Sequence, residues 1–521
     1  MGAGASIQAE MAKPLDASDI ADRDAAVAEV ARLRLVLSSS VGPKQSMLQV
    51  QADISKTCVA RVQEALDRIN ALDGEIKACA EVLAEQAIAQ AAAADAKLAD
   101  GGARRALEGV PIIVKVNIDV AGTLSTASMP GFADWRPETT APVVQKLIEA
   151  GAIVVAKTNM PEAAFGPYGF SSLHGTTLNP RNKRYSTTGS SAGTAAGIAA
   201  GMVQVGLGSD TMGSLRMPAD CCAIVGLRPS RGRYPGSGIV PCNASHDTAG
   251  PMAASVADIA VLDAVITGEA PPQDYKPADL TGLCVGVDSA LYAAAVPGHK
   301  NAIDLAKEVL VAAGATTKDV EFWEGVTGFQ HEKQIDYRMK GLEDYIASHP
   351  NCNRTAGEVI EKSFWKGTIH AFFNLLGPFG KYSGSDLIKV NDIPESEREA
   401  AEAKFAEELK EYEAKYSKFL ADNGLDFMIT PTIHGPPPKQ RTTEEFQDFK
   451  NIRSDFGVVV GPSSGIAALN ELSIPSLAMP TKAVHEGIEG PALTAGFLLY
   501  GKPWEDKKLI EVGMALESRL N

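Results

Sequence analysis

The sequence predicts an α/β layered fold, and three observations lead there. Residues 109–117 form a run that is apolar on both faces, the pattern of a strand central in a parallel or mixed sheet. Helix-like and strand-like segments then alternate, with 142–150 as a helix, 153–156 as a strand and 203–207 as another. Residues 47–100, dominated by Ala, Glu, Lys and Leu, read as two amphipathic helices broken at Asp73-Gly74, a layer that covers the sheet. In such folds functional sites gather at the carboxyl ends of strands.

In chain order, residues 1–45 are small, polar and weakly patterned, a leader with helical spacing only at 24–37. Its first residues, Met1-Gly2-Ala3-Gly4-Ala5-Ser6, fit the N-myristoylation pattern, although a single acyl chain anchors only marginally. After Pro229 come glycine and proline turns, a helix at 255–268 and a strand at 283–287. Aromatic and charged residues at helical spacing then take over. They end in a helix at 394–423 with Phe405, Leu409, Tyr412, Tyr416 and Phe419 on one face and Gly424 as its stop. Residues 427–430 return to a strand pattern, and 470–480 with 490–501 complete the core. The expected organisation is one domain over 46–521: a helical layer (46–105), a core (106–320), a helical insertion or lid (321–424) and a C-terminal core segment (425–521). No internal repeat is visible.

Composition narrows the function. The chain has 521 residues, 45% hydrophobic and 22% charged, as in ordinary globular proteins. A net charge of −15 argues against a nucleic-acid partner, which needs a basic surface. The seven cysteines are scattered without a CxxC spacing, pointing to a reducing compartment and away from a disulfide framework or zinc site. The eight histidines include no HExxH. With no secretory leader pattern and no apolar run suited to a membrane span, the expected location is cytoplasmic. A small-molecule substrate is the expected partner, and a homodimer is compatible with these features.

Chemistry concentrates at residues 188–229. There Gly189-Ser190-Ser191-Ala192-Gly193 and Asp210-Thr211-Met212-Gly213-Ser214 flank an apolar run with small residues every three to four positions. A hydroxyl beside glycine lets main-chain N–H groups converge on a bound oxygen. Cleaving an amide needs an activated hydroxyl, a base, donors for the oxyanion and a donor for the leaving amine. Ser214 ends a glycine-containing turn, so the N–H groups of Thr211, Met212, Gly213 and Ser214 are candidate oxyanion donors. Lys115 stands inside the apolar strand, where lysine needs a reason to be. To act as a base at neutral pH it must be uncharged, which requires roughly 4–5 kcal/mol that burial can supply. Asn117, not a carboxylate, lies two residues on. Ser190 is the natural relay between Lys115 and the nucleophile.

Lys115, Ser190 and Ser214, in this order, resemble the Ser-cisSer-Lys triad of the amidase signature family. So do GVPIIVKVNIDVAG (109–122), KTNMPE (157–162), RMPADCCAIVGLRPSRGR (216–233) and SIPSLAMP (473–480). The resemblance is strong over about 50–270 and moderate over the last hundred residues. It implies a large central mixed sheet covered by helices on both faces. It also implies Ser214 as nucleophile, Ser190 as the cis-serine proton shuttle, Lys115 as base, and no cofactor or metal. Residues 238–241 with 246–252 look most like the mandelamide and indoleacetamide hydrolase branch, implying a small arylacetamide-like primary amide. Substrate contacts are expected from Met129, Phe170, Gly189 and Met212. The chain departs from the family's glycine-rich motifs at Thr188, Ala192 and Met212, and Met212 is expected to reshape the acyl pocket.

Other readings of the same residues exist. Gly189-Ser190-Ser191-Ala192-Gly193 also fits GxSxG, the α/β-hydrolase elbow, with Ser191 attacking and His434 or His485 as base. Esters, carbamates or anilides could be cleaved by the same triad. The chain could also be one component of a glutamine amidotransferase, or a non-catalytic interaction protein on this scaffold. Cys221 and Cys222 read as small core residues, and His246 beside Asp247 as loop structure.

Overall fold

The computed structural model describes residues 46–52, 55–166, 168–270, 272–322, 334–336, 338–363, 387–389, 394–442, 444–447 and 474–520. The leader with its Gly2 pattern lies outside the described residues, as do parts of the expected insertion and of the C-terminal segment. One 11-stranded sheet runs through the molecule. Its strands are β1 Cys79–Val82, β2 Pro111–Lys115, β3 Ile153–Thr158, β4 Val205–Asp210, β5 Val225–Arg228, β6 Thr248–Ala253, β7 Cys284–Asp288, β8 Thr316–Val320, β9 Phe427–Pro431, β10 Ser476–Val484 and β11 Thr494–Tyr500. They lie in the order β1-β3-β2-β4-β6-β5-β10-β11-β9-β7-β8. Strands β3, β2 and β4 are parallel to one another, as are β9, β7 and β8, and every other pairing is antiparallel.

The principal helices are α1 Cys58–Ile76, α2 Ala84–Ala99, α3 Pro142–Glu149, α4 Ala192–Ala199, α5 Arg216–Cys221, α6 Val256–Thr267, α7 Pro297–Ala312, α8 Arg338–Ala347, α9 Ala356–Glu361, α10 Glu395–Asn423 and α11 Asp506–Leu520. Alternate residues of β2 show how they are used. Ile112 and Val114 join a core containing residues of α3, α6, α7 and α11, whereas Ile113 joins one containing residues of α1, α2, α4, α5 and α10. Strand side chains alternate between faces, so the two cores lie on opposite sides of the sheet. This is the mixed α/β sandwich expected from the sequence.

Two readings change. Asp73-Gly74 does not break the first helix, because α1 continues to Ile76 and the chain turns at Lys77, which is left-handed at φ 54°. Asp73 makes that turn: its backbone oxygen accepts from Lys77 N at 2.9 Å, and its carboxylate accepts from Ala78 N at 2.6 Å and Cys79 N at 3.1 Å. The edge strand β1 follows, where the sequence pattern predicts only helix. The second change concerns β5 and β6, whose glycines and proline conceal strands. Gly250 sits in β6 because a Cβ there would meet Leu227 O at 2.3 Å.

The aromatic stripe of α10 is a packing surface. Tyr412, Tyr416 and Leu420 are buried in the second core, and Phe322 meets the rings of Tyr416 and Phe419 at 5.6 and 5.1 Å. The side chain of Phe405 lies outside the described residues. Among the described residues no helix is long and apolar enough to cross a membrane.

Candidate active site

Because β3, β2 and β4 are parallel and adjacent, their carboxyl ends meet at one edge, bringing Thr158, Lys115 and Asp210 together. The tightly packed α4 carries the serine motif to this edge. A Cβ on Gly193 would lie 2.3 Å from Ala78 O, and one on Gly208 would lie 2.5 Å from Ser191 Oγ. Only glycine allows this approach.

Lys115 has no accessible surface. Its Nζ lies 2.7 Å from Ser190 Oγ, 2.9 Å from Ser209 Oγ and 3.3 Å from Ser209 O. Asn117 Nδ2 donates to Ser209 Oγ at 3.1 Å and to Val240 O at 3.2 Å, which holds Ser209 in place. No carboxylate touches the amine among the described residues. Burial lowers its pKa to about 7, against the opposing fields of Cys242, Asp210 and Asp247. A neutral amine suits this cage: its two N–H bonds can point at the two Ser209 oxygens, leaving its lone pair for the Ser190 hydroxyl. A strand-end lysine reaching for solvent is thereby excluded.

Ser190 is fully buried and follows a cis Gly189–Ser190 peptide bond. The neighbouring Ser191 N–H donates to Ser214 O at 3.1 Å, which places the Ser214 turn against the Ser190 segment. Ser214 retains 8% exposure and Thr211 9%. Asp210 shapes that turn. Its carboxylate accepts from Gly213 N at 2.7 Å, Leu215 N at 3.0 Å, Arg216 Nε at 3.1 Å and Arg228 Nη1 at 2.8 Å. Burial would raise the pKa of Asp210, but the two guanidiniums outweigh it and hold the carboxyl well below its usual range. The Gly213 N–H is therefore engaged, which narrows the expected oxyanion donors to Thr211, Met212 and Ser214. Asp247, pushed up to about 6 by burial, accepts from the Thr211 hydroxyl and from Cys242 N and Asn243 N. It braces the first residue of the same turn.

A third apolar cluster adjoins this edge. It contains Met129, Phe132, Trp135, Phe165, Tyr168, Phe170 and Phe446, together with Leu342, Tyr345, Val359 and Ile360 from α8 and α9. Phe170 and Phe446 stack at 4.9 Å, and a Cβ on Gly189 would meet Tyr168 O at 2.5 Å. The backbone of the Tyr168 segment thus runs close against the serine motif. Met129 has no accessible surface and sits inside the cluster, Phe170 keeps 4%, and Met212 is half-buried.

The GxSxG alternative loses its nucleophile. Ser191 is fully buried, its Oγ donates to Ser209 O at 3.1 Å, and it accepts from Ser209 N. His485 packs against the His299 ring, and burial lowers its pKa to about 3. Sequence reasoning gave Ser209, Asp210 and Asp247 no role in the site. Their one signal was position, beside the turn at 211–214 or next to a histidine.

The Amidase family profile matches residues 60–510. The chain belongs to the amidase family. This amidase-family protein is 33% identical to the A subunit of the glutamyl-tRNA(Gln) amidotransferase of Deinococcus deserti, over 88% of this chain and 91% of that protein. It is 40% identical to the mandelamide hydrolase of Pseudomonas putida over 204 residues, covering 38% of this chain and 40% of that protein. Its fold matches native peptide amidase from Stenotrophomonas maltophilia with a TM-score of 0.70 and 29% identity, covering 92% of this chain and 97% of that one. The amidase is accordingly a hydrolase of carbon–nitrogen amide bonds. The mandelamide match is partial, so these relatives support the family and leave its branch open.

Proposed function

We propose that the protein is a serine amidase that cleaves a small, arylacetamide-like primary amide to a carboxylic acid and ammonia. Ser214 Oγ attacks the amide carbon while its proton passes to Ser190, whose own proton passes to Lys115. The oxyanion is held by the N–H groups of Thr211, Met212 and Ser214. Return of the proton to the nitrogen expels ammonia and leaves an acyl ester on Ser214. Water, activated by the same relay, hydrolyses the ester and restores the serine. The observation that carries this reading is the 2.7 Å contact between Lys115 Nζ and Ser190 Oγ, in a cage where no carboxylate among the described residues touches the amine. The aromatic cluster beside Gly189 supports an aromatic acyl group.

The pH profile tests the base. Only the uncharged amine accepts a proton, and the pKa of Lys115 is about 7. The acid limb of kcat/KM is expected to fall about tenfold per pH unit below that value. A profile flat to pH 5 removes Lys115 from the role.

The 33% identity to the A subunit of an amidotransferase, over most of the chain, supports a second reading, release of ammonia from glutamine for a partner. A panel of phenylacetamide, aliphatic amides, anilides, carbamates, esters and glutamine separates the two. We expect ammonia from phenylacetamide, preferred over acetamide by about ten- to two-hundredfold. Release from glutamine alone overturns the arylacetamide reading.

A further inference from the structure

A buried polar array lies behind the aromatic cluster, apart from the residues assigned to catalysis. Asp119 follows β2 and has no accessible surface. Its Oδ1 accepts from the Tyr345 hydroxyl at 2.8 Å, and its Oδ2 faces His349 Nε2 at 3.0 Å. Trp135 Nε1 donates to the Tyr345 hydroxyl at 2.9 Å, and the Trp135 and His349 rings meet edge to face at 5.5 Å. On the other side of the ring, His349 Nδ1 lies 2.8 Å from Tyr345 O and 3.0 Å from Ser348 Oγ. Each ring nitrogen thus faces an oxygen that can only accept, a carboxylate on one side and a carbonyl on the other. An imidazolium donates at both nitrogens, whereas a neutral ring keeps the bond to Asp119 and takes the Ser348 hydroxyl at Nδ1 in place of its bond to the Tyr345 carbonyl, to which Ser348 Oγ also donates at 2.7 Å.

The array ties the end of α8 to the residues after β2, beside the aromatic cluster. Helices α8 and α9 supply Leu342, Tyr345, Val359 and Ile360 to the aromatic cluster, and a Cβ on Gly131 would meet Val359 Cα at 2.4 Å. The packing leaves no slack between α9 and the loop carrying Met129 and Phe132.

We propose that His349 is a positioning residue: as an imidazolium shared by Asp119 and the Tyr345 carbonyl, it clamps the end of α8 onto the aromatic cluster that would hold the acyl group, and substrate affinity falls when it loses its proton. The substrate part rests on the pocket assignment made above; the clamp itself does not.

The hydrogen bond to Asp119 raises the pKa of His349 above its ordinary 6.5, outweighing burial. A raised folded pKa means that the clamp is complete below about pH 6.5 and is lost as pH rises through the higher folded value. Other charged and titratable groups surround the array. Tyr345 and Cys352 are both pushed up by burial, and Arg354 pairs with Asp134 at 2.6 Å over the Trp135 ring. Lys157 of β3 donates to Ile118 O, and Asp119 and Glu81 bear on it by charge while burial lowers its pKa to about 7. Its titration overlaps the window, so His349 must be isolated by substitution.

The test compares wild type with His349→Gln, which cannot titrate. In wild type we expect KM for the cleaved amide to rise about tenfold from pH 6 to 9, the effect of one weakened charge-assisted hydrogen bond. Over the same range kcat keeps the limb set by Lys115. In His349→Gln this rise should disappear, leaving only whatever slope Lys157 gives both proteins. Identical KM profiles in the two proteins overturn the proposal, because a merely structural histidine would leave the pH dependence unmoved. Two wild-type measurements stand even if no amide is cleaved or the variant fails to fold. NMR titration should give His349 a pKa above 6.5, and hydrogen-exchange protection of amides 338–363, corrected for intrinsic rates, should fall across that titration. A pKa at or below 6.5, or protection independent of pH, overturns the clamp, whereas loss of amide cleavage with both intact overturns only the pocket assignment.

Discussion

Ser214→Ala is expected to lower kcat by about 10⁴- to 10⁶-fold without unfolding the protein, the scale on which removing a serine nucleophile acts elsewhere. Ser214 is slightly exposed, and its fixed contact is the backbone carbonyl that accepts from Ser191 N, which alanine retains. The turn should therefore keep its shape while the attacking oxygen disappears. Ammonia release with an active-site titration of acylated enzyme checks this. A variant within tenfold of wild type would show that another group attacks. Lys115→Met should produce a comparable loss, because Ser190 would then have no acceptor for its proton.

The largest effect on stability is expected at Asp210. Its carboxylate compensates Arg216 and Arg228, both buried, and holds the N–H groups of Gly213 and Leu215. Asp210→Ala leaves two buried guanidiniums facing each other and frees the turn carrying Ser214. Breaking a buried pair by removing one partner costs about 3–5 kcal/mol. The urea midpoint should fall accordingly, and kcat should fall with it because Thr211, Met212 and Ser214 lose their fixed directions. An unfolding free energy within about 1 kcal/mol of wild type would mean that the arginines find other partners. Asp210→Asn should retain more stability than alanine, because the amide still offers one acceptor oxygen.

These expectations rest on features that differ in how well the sequence displays them. The core strand β2 and helices α6 and α10 were legible because their signals are local: an apolar run, Ser255 and Gly268 at the ends of α6, and Gly424 at the end of α10. The edge strand β1 was not legible, since its residues CAEV carry no alternation and the turn before it is made by an aspartate inside a helical pattern. Strand β6 was hidden for a related reason. TAGPMA looks like a loop, yet its glycine answers the close approach of β5.

The site divides in the same way. By itself the sequence determined that a lysine occupies an apolar strand and that hydroxyls recur beside glycines in two short turns, because residue type and spacing are local facts. Only the tertiary structure decided that Ser209 completes the cage around Lys115, that the Gly213 N–H is engaged by Asp210, and that His349 reaches Asp119 from the segment between α8 and α9. Each of these depends on which strands are neighbours and on how much water remains. Strand order and burial are properties of the whole chain, and a side chain's protonation follows them.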